Sequence, residues 1–547
     1  MGNVEIAWKN SFRYLGVILD QKLTWENHIN SIISKVEKSL NLLKAVTRRH
    51  WGADPKTSLM FYRAYVRTLI DFGSIFYGSA TKTRLLKIDR LQYKAVRIIT
   101  GALSSTPTNA LLAETGELPL SLRRLHLAEK FIIKNIFTQN DFLVNKINKV
   151  SLDNLTNSYW VHKNSPPLAD AFIETAKFQE EIVKSPKLPF FTGNFDSIFF
   201  NIDISFSQYS ESPKMNNNII DNIKNDLQDA TSVYTDGSKS PEGVGCAFYI
   251  RDIKYGESFR INSNSSIFSA EAYAIIQALD YIISNKTASH VLIFSDSMSC
   301  LQAISNKTKH LYKNPLIFDI FQKLIILARY NIRVSFFWAK GHAGIKGNEQ
   351  VDMLAKQAIT KDITIPGLQY YDAISYLKQE AKNKWRVQYA EYAVNNQNFY
   401  TRTNRHLVSN PSIQETNLNR CHYTTFIRLT FGHGNFRYLL NKMNLADSPL
   451  CTCDSLSVDD LNHWLFSCLN NQRASCFLLE KLAELDKLPI NACNLMTLAK
   501  QDKKINNLLI RFVRMVERKL KETEYPMSYP MCFILSYRLV HFFVCLV

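Results

Sequence analysis

Cysteine is sparse in this chain: there are ten in 547 residues, and Cys246 and Cys300 fall inside apolar strand or helix patterns. That excludes the dense disulfide framework of a small secreted domain and fits a reducing, intracellular compartment, nuclear or cytoplasmic. An export signal is also lacking. Residues 1–20 show no charged start followed by an apolar run and a small-residue cleavage site, and Ile6 breaks the myristoylation pattern that Met1-Gly2 opens. The stretch 527–547 is apolar and aromatic enough to suggest a tail anchor, but Arg538 and His541 interrupt it and it is barely long enough to span a bilayer. A membrane partner is therefore not expected, and a spurious extension of the reading frame is the preferred account of the tail. No internal repeat is evident.

What is present is the balance of a folded protein, with 46% hydrophobic and 21% charged residues. The length suggests about three or four domains of ordinary size. Lysine and arginine outnumber aspartate and glutamate by 66 to 48, a formal charge of +18. A polyanion is the simplest partner for such an excess, and a merely solvated basic surface is the alternative. Distribution favours nucleic acid, because residues 35–100 carry fourteen Lys and Arg against four acids on segments that read as amphipathic helices.

Residues 27–49 place Ile29, Ile32, Ile33, Val36, Leu40 and Leu43 on one helical face, with Lys35, Lys38 and Lys44 elsewhere on the same helix. The segments 56–72 and 83–100 repeat that style, with Leu59, Tyr62, Val66 and Leu69 inside and Arg63 and Arg67 alongside. The first 130 residues thus read as mainly helical. Between about 136 and 228 periodicity weakens and Asn and Ser accumulate, so an irregular connector is expected there, with Met215-Asn216-Asn217-Asn218 preceding a strand. Beyond 363 helical patterns return, interrupted near 446–470 by a Cys and His cluster.

The informative stretch lies between. Ser232-Val233-Tyr234-Thr235-Asp236-Gly237-Ser238 is a short β-prone run that ends in an acid and a glycine turn, and 243–250 and 255–261 read as two further strands of an antiparallel meander. A helix follows through Phe268, Ala272, Ile275, Ile276, Leu279 and Ile283, with Glu271 expected in its first turn. Val291-Leu292-Ile293-Phe294 reads as a strand buried on both faces, with Asp296 just past its carboxyl end, where ligands gather in open α/β sheets. A last strand over 333–338 leads through Gly341-His342-Ala343-Gly344 into a helix whose apolar face is Val351, Leu354, Ala355 and Ala358, flanked by Asp352. Each acid alone could be a cap or a solvated charge. Together they would repel one another and resist ionisation unless divalent cations compensate them. Asp236, Glu271, Asp296 and Asp352 are therefore expected to hold two Mg²⁺ (or Mn²⁺) ions about 4 Å apart, one activating water and one stabilising the leaving oxygen.

The order Thr-Asp-Gly-Ser, Ser-Ala-Glu, Ser-Asp-Ser and Gly-His-x-Gly-x-x-Gly-Asn-Glu-x-x-Asp resembles ribonuclease H of the cellular type over about 130 residues. The resemblance implies a mixed five-stranded α/β sheet with flanking helices over 229–362, between largely α-helical regions. It also implies catalytic, metal-binding carboxylates at Asp236, Glu271, Asp296 and Asp352, a mobile-loop histidine at His342 that assists proton movement or product release, and an RNA–DNA hybrid as substrate. Two departures stand out. Ile267-Phe268 occupies the place of a common Asn pair, and Met298 that of a frequent Gln, positions that touch the hybrid's minor groove in the family. Strand discrimination is in doubt more than chemistry, since 2′-hydroxyl contacts tell RNA from DNA.

Tyr14-Leu15-Gly16-Val17-Ile18-Leu19-Asp20, with Leu23-Thr24-Trp25 and the helices behind, resembles the palm end and thumb of non-LTR retrotransposon reverse transcriptases, and the whole order resembles the carboxyl-terminal part of a Jockey- or I-group polyprotein. No Tyr or Phe is followed by Ala-Asp-Asp, so no polymerase activity is expected. Cys451, Cys453, His463 and Cys468 could bind tetrahedral Zn²⁺. One residue separates the first two cysteines and nine precede the histidine, unlike a retroviral knuckle, while the final interval of four is kept. The expected organisation is a helical remnant at 1–135, connector 136–228, ribonuclease H domain 229–362, helical region 363–445, knuckle-like module 446–470, helical region 471–525 and apolar tail 526–547. A catalytically silent, retrotransposon-derived nucleic-acid-binding protein is the competing reading.

Overall fold

The structure, a computed structural model, describes residues 9–48, 52–186, 200–203, 213–225, 230–285, 289–305, 314–407, 420–434, 436–488 and 490–524. The apolar tail lies outside them. The chain forms two compact units, one of Met1–Leu127, Ser158–Pro167 and Ala381–Val547, the other of Ala128–Asn157 and Leu168–Glu380.

In the first unit a short antiparallel hairpin, Ser11–Tyr14 with Val17–Asp20, precedes the helix Glu26–Val46. Ile29, Ile32, Val36, Leu40 and Leu43 of that helix are buried at the spacing the sequence shows, and Ile33 is partly buried. The same core runs on through Tyr62, Val66 and Val96 to Tyr389, Ile427, Leu478, Leu495 and Phe512. Most of the regions 1–135 and 363–525, which read as separate along the chain, thus share one hydrophobic interior, while 128–135 and 363–380 belong to the second unit. Helical periodicity tells which face is buried but not against what, so this union is invisible in one dimension. Arg63 Nε and Arg67 Nη1 both reach the buried Glu117 carboxylate, at 2.7 and 2.9 Å. These two guanidiniums offset an interior charge.

The second unit is built on a seven-stranded sheet. From Phe200 to Ile365 the elements in chain order are β1 (Phe200–Asp203), α1 (Pro213–Asn225), β2 (Ala230–Ser240), β3 (Gly243–Ile250), β4 (Tyr255–Ile261), α2 (Ile267–Asn285), β5 (His290–Ser295), α3 (Met298–Ser305), α4 (Pro315–Arg329), β6 (Arg333–Trp338), α5 (Lys346–Ala358) and β7 (Ile363–Ile365). The strand order is β1-β6-β5-β2-β3-β4-β7. β2, β3 and β4 form the antiparallel meander, β5 runs parallel to β2, and β6 parallel to β5. The five strands legible in the sequence make the centre. Two short strands, β1 beside β6 and β7 beside β4, extend its edges.

β5 shows why the sheet is covered on both sides. Val291 and Ile293 join the core under α2 and α4, whereas Leu292 and Phe294 join Tyr234, Phe337, Val351 and Ala355 on the opposite face under α5. Side chains alternate across a strand, so a continuous apolar run is stable only when both faces are packed. α2 is apolar and long enough to cross a membrane, and most of it is buried in this interior. The described residues of 136–228 are not the irregular connector expected from composition. They include the helices Asp141–Thr156 and Pro167–Thr175, and Met215-Asn216-Asn217-Asn218 lies inside α1. Three asparagines of low helix propensity mask the pattern, but Pro213 opens the helix and Ile220 docks it onto the Leu292 face.

Candidate active site

β2 and β5 run side by side, with Thr235 opposite Ser295 as the last pair of their register. Asp236 and Asp296 are the next residues, Asp236 inside β2 where that strand runs on beside β3 and Asp296 just past the end of β5, so the two carboxylates leave neighbouring strands, about 4.8 Å apart in a sheet. Glu271 is brought in by α2 as its fifth residue, just beyond the first turn in which the sequence placed it. Gly237 makes this approach possible, because a Cβ there would lie 2.8 Å from both Ala270 Cβ and the Glu271 backbone nitrogen. Its own amide donates to Asp236 Oδ1 at 2.8 Å. Asp236, Glu271 and Asp296 each present an oxygen within 4.8 Å of the others.

Asp352, on α5, is not in that triangle. Its Oδ2 accepts a hydrogen bond from Lys356 Nζ at 2.7 Å, one turn farther along the helix, yet its charge is felt by both Asp236 and Asp296. Burial, then repulsion from Asp296 and Asp352, pushes the Asp236 carboxyl up to about 7. Burial also leads the upward shift of Glu271, followed by Asp236 and Asp296, and takes it well above the ordinary glutamate range. Asp296 is raised chiefly by burial, with His342 pulling the other way. Glu271 Oε2 is buried and accepts no hydrogen bond. An undonated carboxylate oxygen among mutually repelling acids fits a hard divalent cation, which would supply the missing charge and coordination.

His342 sits exposed in the turn after β6, at φ 55°, with Gly344 at φ 72°. The turn lies over Asp296. Trp338 Nε1 donates to the Asp296 carbonyl at 3.0 Å, and Gly341 is so close that a Cβ would stand 2.9 Å from Asp296 Oδ2. Trp338, Gly341 and Lys356 were not singled out as site residues from sequence. Lys356 could have been, since an acid followed four residues later by a lysine on a helix is a natural pair. The positions that depart from the cellular pattern start helices at this end of the sheet: Ile267 opens α2, exposed, and Met298 opens α3.

In the other unit Cys451, Cys453, His463 and Cys468 also converge, every pair of ligand atoms within 4.8 Å. Cys451 Sγ and Cys468 Sγ are 3.8 Å apart and Cys453 Sγ is 3.2 Å from His463 Nε2. The thiol separation is far beyond a disulfide bond and close to the edge of a zinc tetrahedron, about 3.8 Å for Zn–S bonds of about 2.3 Å. The sequence interval that looked too long is taken up locally: Ser457 returns to accept from the Cys451 amide at 2.8 Å, and His463 carbonyl accepts from the Cys468 amide at 2.8 Å. Burial pushes the Cys451 thiol up to about 12 and raises Cys468 as well. Thiolates there call for a compensating cation.

A family model described as RNase H matches residues 228–360. A ribonuclease H of Campylobacter jejuni is 30% identical over 136 residues, which cover 24% of this chain and 90% of that enzyme. The chain belongs to the ribonuclease H family. The family's members are hydrolases that act on RNA–DNA hybrids, and the mixed sheet with α2, α4 and α5 is the fold of the matched residues. Proteins of mobile elements match as well. The RNA-directed DNA polymerase from mobile element jockey of Drosophila melanogaster is 33% identical over 103 residues, 18% of this chain and 11% of that protein. A Pol polyprotein from the type-1 retrotransposable element R1 of Nasonia vitripennis is 27% identical over 119 residues, 21% of this chain and 35% of the polyprotein. The matches to these two thus cover about a tenth and a third of their lengths, and they support a ribonuclease H within a retrotransposon polyprotein.

Proposed function

We propose that this chain hydrolyses the RNA strand of RNA–DNA hybrids, with Asp236, Glu271, Asp296 and Asp352 as the residues that hold two Mg²⁺ or Mn²⁺ ions. The observation that carries the reading is the convergence of three raised carboxylates around a Glu271 oxygen that has no donor. Divalent cations bound there supply the charge that lets water attack phosphorus at neutral pH and that offsets the charge growing on the leaving oxygen. The water oxygen bonds to phosphorus as the P–O3′ bond breaks, so the products carry a 5′-phosphate and a 3′-hydroxyl. His342, exposed on the turn over Asp296, moves a proton or helps product leave in this reading. The exposed Lys35, Lys38 and Lys44 of the first unit draw the polyanion in, and Cys451, Cys453, His463 and Cys468 hold a structural Zn²⁺. No polymerase step is proposed.

Incubation of the full chain with a labelled hybrid and Mg²⁺ tests the reading. Cleavage of RNA only, abolished by chelator, by Asp236→Asn and by Glu271→Gln, is the expected result. Binding of the hybrid with no cleavage under any divalent cation would replace it with the silent binding protein.

A further inference from the structure

α1 lies ahead of the catalytic sheet, yet it is anchored to it. Ile220 is buried with Phe294, Ile345 and Val351, and its acids and bases pair across to the far end of β3: Asp221 with Arg251 at 2.6 Å, Lys224 with Asp252. Near its amino end, two adjacent side chains meet the turn that carries His342. Asn216 Nδ2 donates to the Ala343 carbonyl at 2.9 Å, Asn217 Nδ2 donates to the Gly344 carbonyl at 2.8 Å, and Asn217 Oδ1 accepts from the Lys346 amide at 3.2 Å. Asn216 is fully buried. These amides therefore satisfy three main-chain groups between His342 and the first residue of α5. The turn they hold is a demanding one, because His342 has φ 55° and Gly344 φ 72°. A residue with a side chain keeps that conformation only where its surroundings impose it.

We propose that α1 is a positioning element of the active site: Asn216 and Asn217 fix the turn 341–346, and through it the imidazole of His342. The inference rests on the role given to His342 above. Neither asparagine touches a reacting atom in this arrangement. Each acts by limiting the turn to one geometry, as a second layer of hydrogen bonds does around a preorganised site.

The test uses the full chain with Asn216→Ala, Asn217→Ala and the pair, each in the native and His342→Ala backgrounds. With hybrid and Mg²⁺, each single change is expected to lower kcat about three- to tenfold with little change in KM. The same changes are expected to add nothing once His342 is gone. Hydrogen exchange gives a readout that does not depend on activity: the peptide 341–346 should exchange about tenfold faster in Asn217→Ala while β5 keeps its protection. A loss of kcat that persists undiminished in the His342→Ala background overturns the proposal, and so does unchanged exchange at 341–346. If the native chain does not cleave hybrid while the exchange responds as described, the hydrolase reading fails and the anchoring of the turn by α1 stands.

Discussion

Replacing Asp236 with asparagine should make the metal-free protein more stable at alkaline pH while destroying its response to Mg²⁺. The carboxyl is 5% exposed, and burial followed by the charges of Asp296 and Asp352 moves it from 3.8 to about 7. Between those values the folded protein holds more protons at this group than the unfolded chain. Its contribution to stability is therefore full below about 3.8, declines as pH rises, and is lost above about 7. A displacement of that size corresponds to about 4 kcal/mol of disfavoured ionisation. Glu271 and Asp296 share the repulsion, so removing one charge without changing shape should return about half, roughly 2 kcal/mol at pH 8. For a unit of this size that is roughly 4–8 °C in the melting transition of the second unit, followed by calorimetry in chelator. At pH 4 the difference should nearly vanish. Saturating Mg²⁺ should raise the native transition at pH 8, much less at pH 5, and leave the asparagine variant unmoved. An asparagine variant less stable than native at pH 8 in chelator, or one stabilised by Mg²⁺ as strongly as native, would refute the idea that buried charge at this site awaits a cation.

Gly237→Ala puts a methyl 2.8 Å from Ala270 Cβ and from the Glu271 nitrogen. It should push α2 off β2 and cut hybrid cleavage more than about a hundredfold, at a stability cost of about 1–3 kcal/mol; near-native rates would show that the Asp236–Glu271 spacing is not critical. Lys356→Gln removes the cation now paired with Asp352 at 2.7 Å. Because the lysine is mostly exposed, stability should change by less than about 1 kcal/mol, whereas the Mg²⁺ concentration for half-maximal stabilisation should fall about two- to fivefold; an increase would contradict the competition. The purified chain should carry close to one zinc by elemental analysis, and Cys468→Ser should lose it and lower the melting transition of the first unit by at least about 5 °C, with the second unit unmoved. Retention of zinc by that variant would place the metal elsewhere.

The catalytic sheet was legible because its signals are covalently local. Two apolar runs end in Asp236 and Asp296, and once β2 and β5 are paired in parallel with Thr235 opposite Ser295 the two acids must be neighbours. Glu271 was legible as an acid at the beginning of a helix, but its closeness to Asp236 depends on Gly237, whose importance shows only when Ala270 is seen against it. The same holds for Asp352: its position on α5 followed from periodicity, its pairing with Lys356 from a rule that was available, and its place outside the tight triangle from neither. α1 was missed because asparagines conceal a helix whose apolar contacts lie across a sheet not yet formed. Union of the first 120 residues with 385–516 in one core was missed for the reason that packing partners distant in sequence leave no periodic trace.

Charge is the property in which composition misleads most. The chain carries +18, yet its candidate active site is a concentration of acids, and a phosphate backbone approaching it without cations meets repulsion. Part of the basic charge is committed inside the protein, where Arg63 and Arg67 both pair with the buried Glu117. The exposed lysines of the helix Glu26–Val46 lie in the first unit, and the exposed Lys340 and Lys346 flank the turn of His342 in the second. Under the function proposed above, attraction by the lysines and chemistry at the acids answer to different conditions: salt should weaken the first by counterion competition, and chelation should remove the second while leaving the first in place. A hybrid that stays bound in chelator and is cut when Mg²⁺ is restored is the behaviour that division of charge requires.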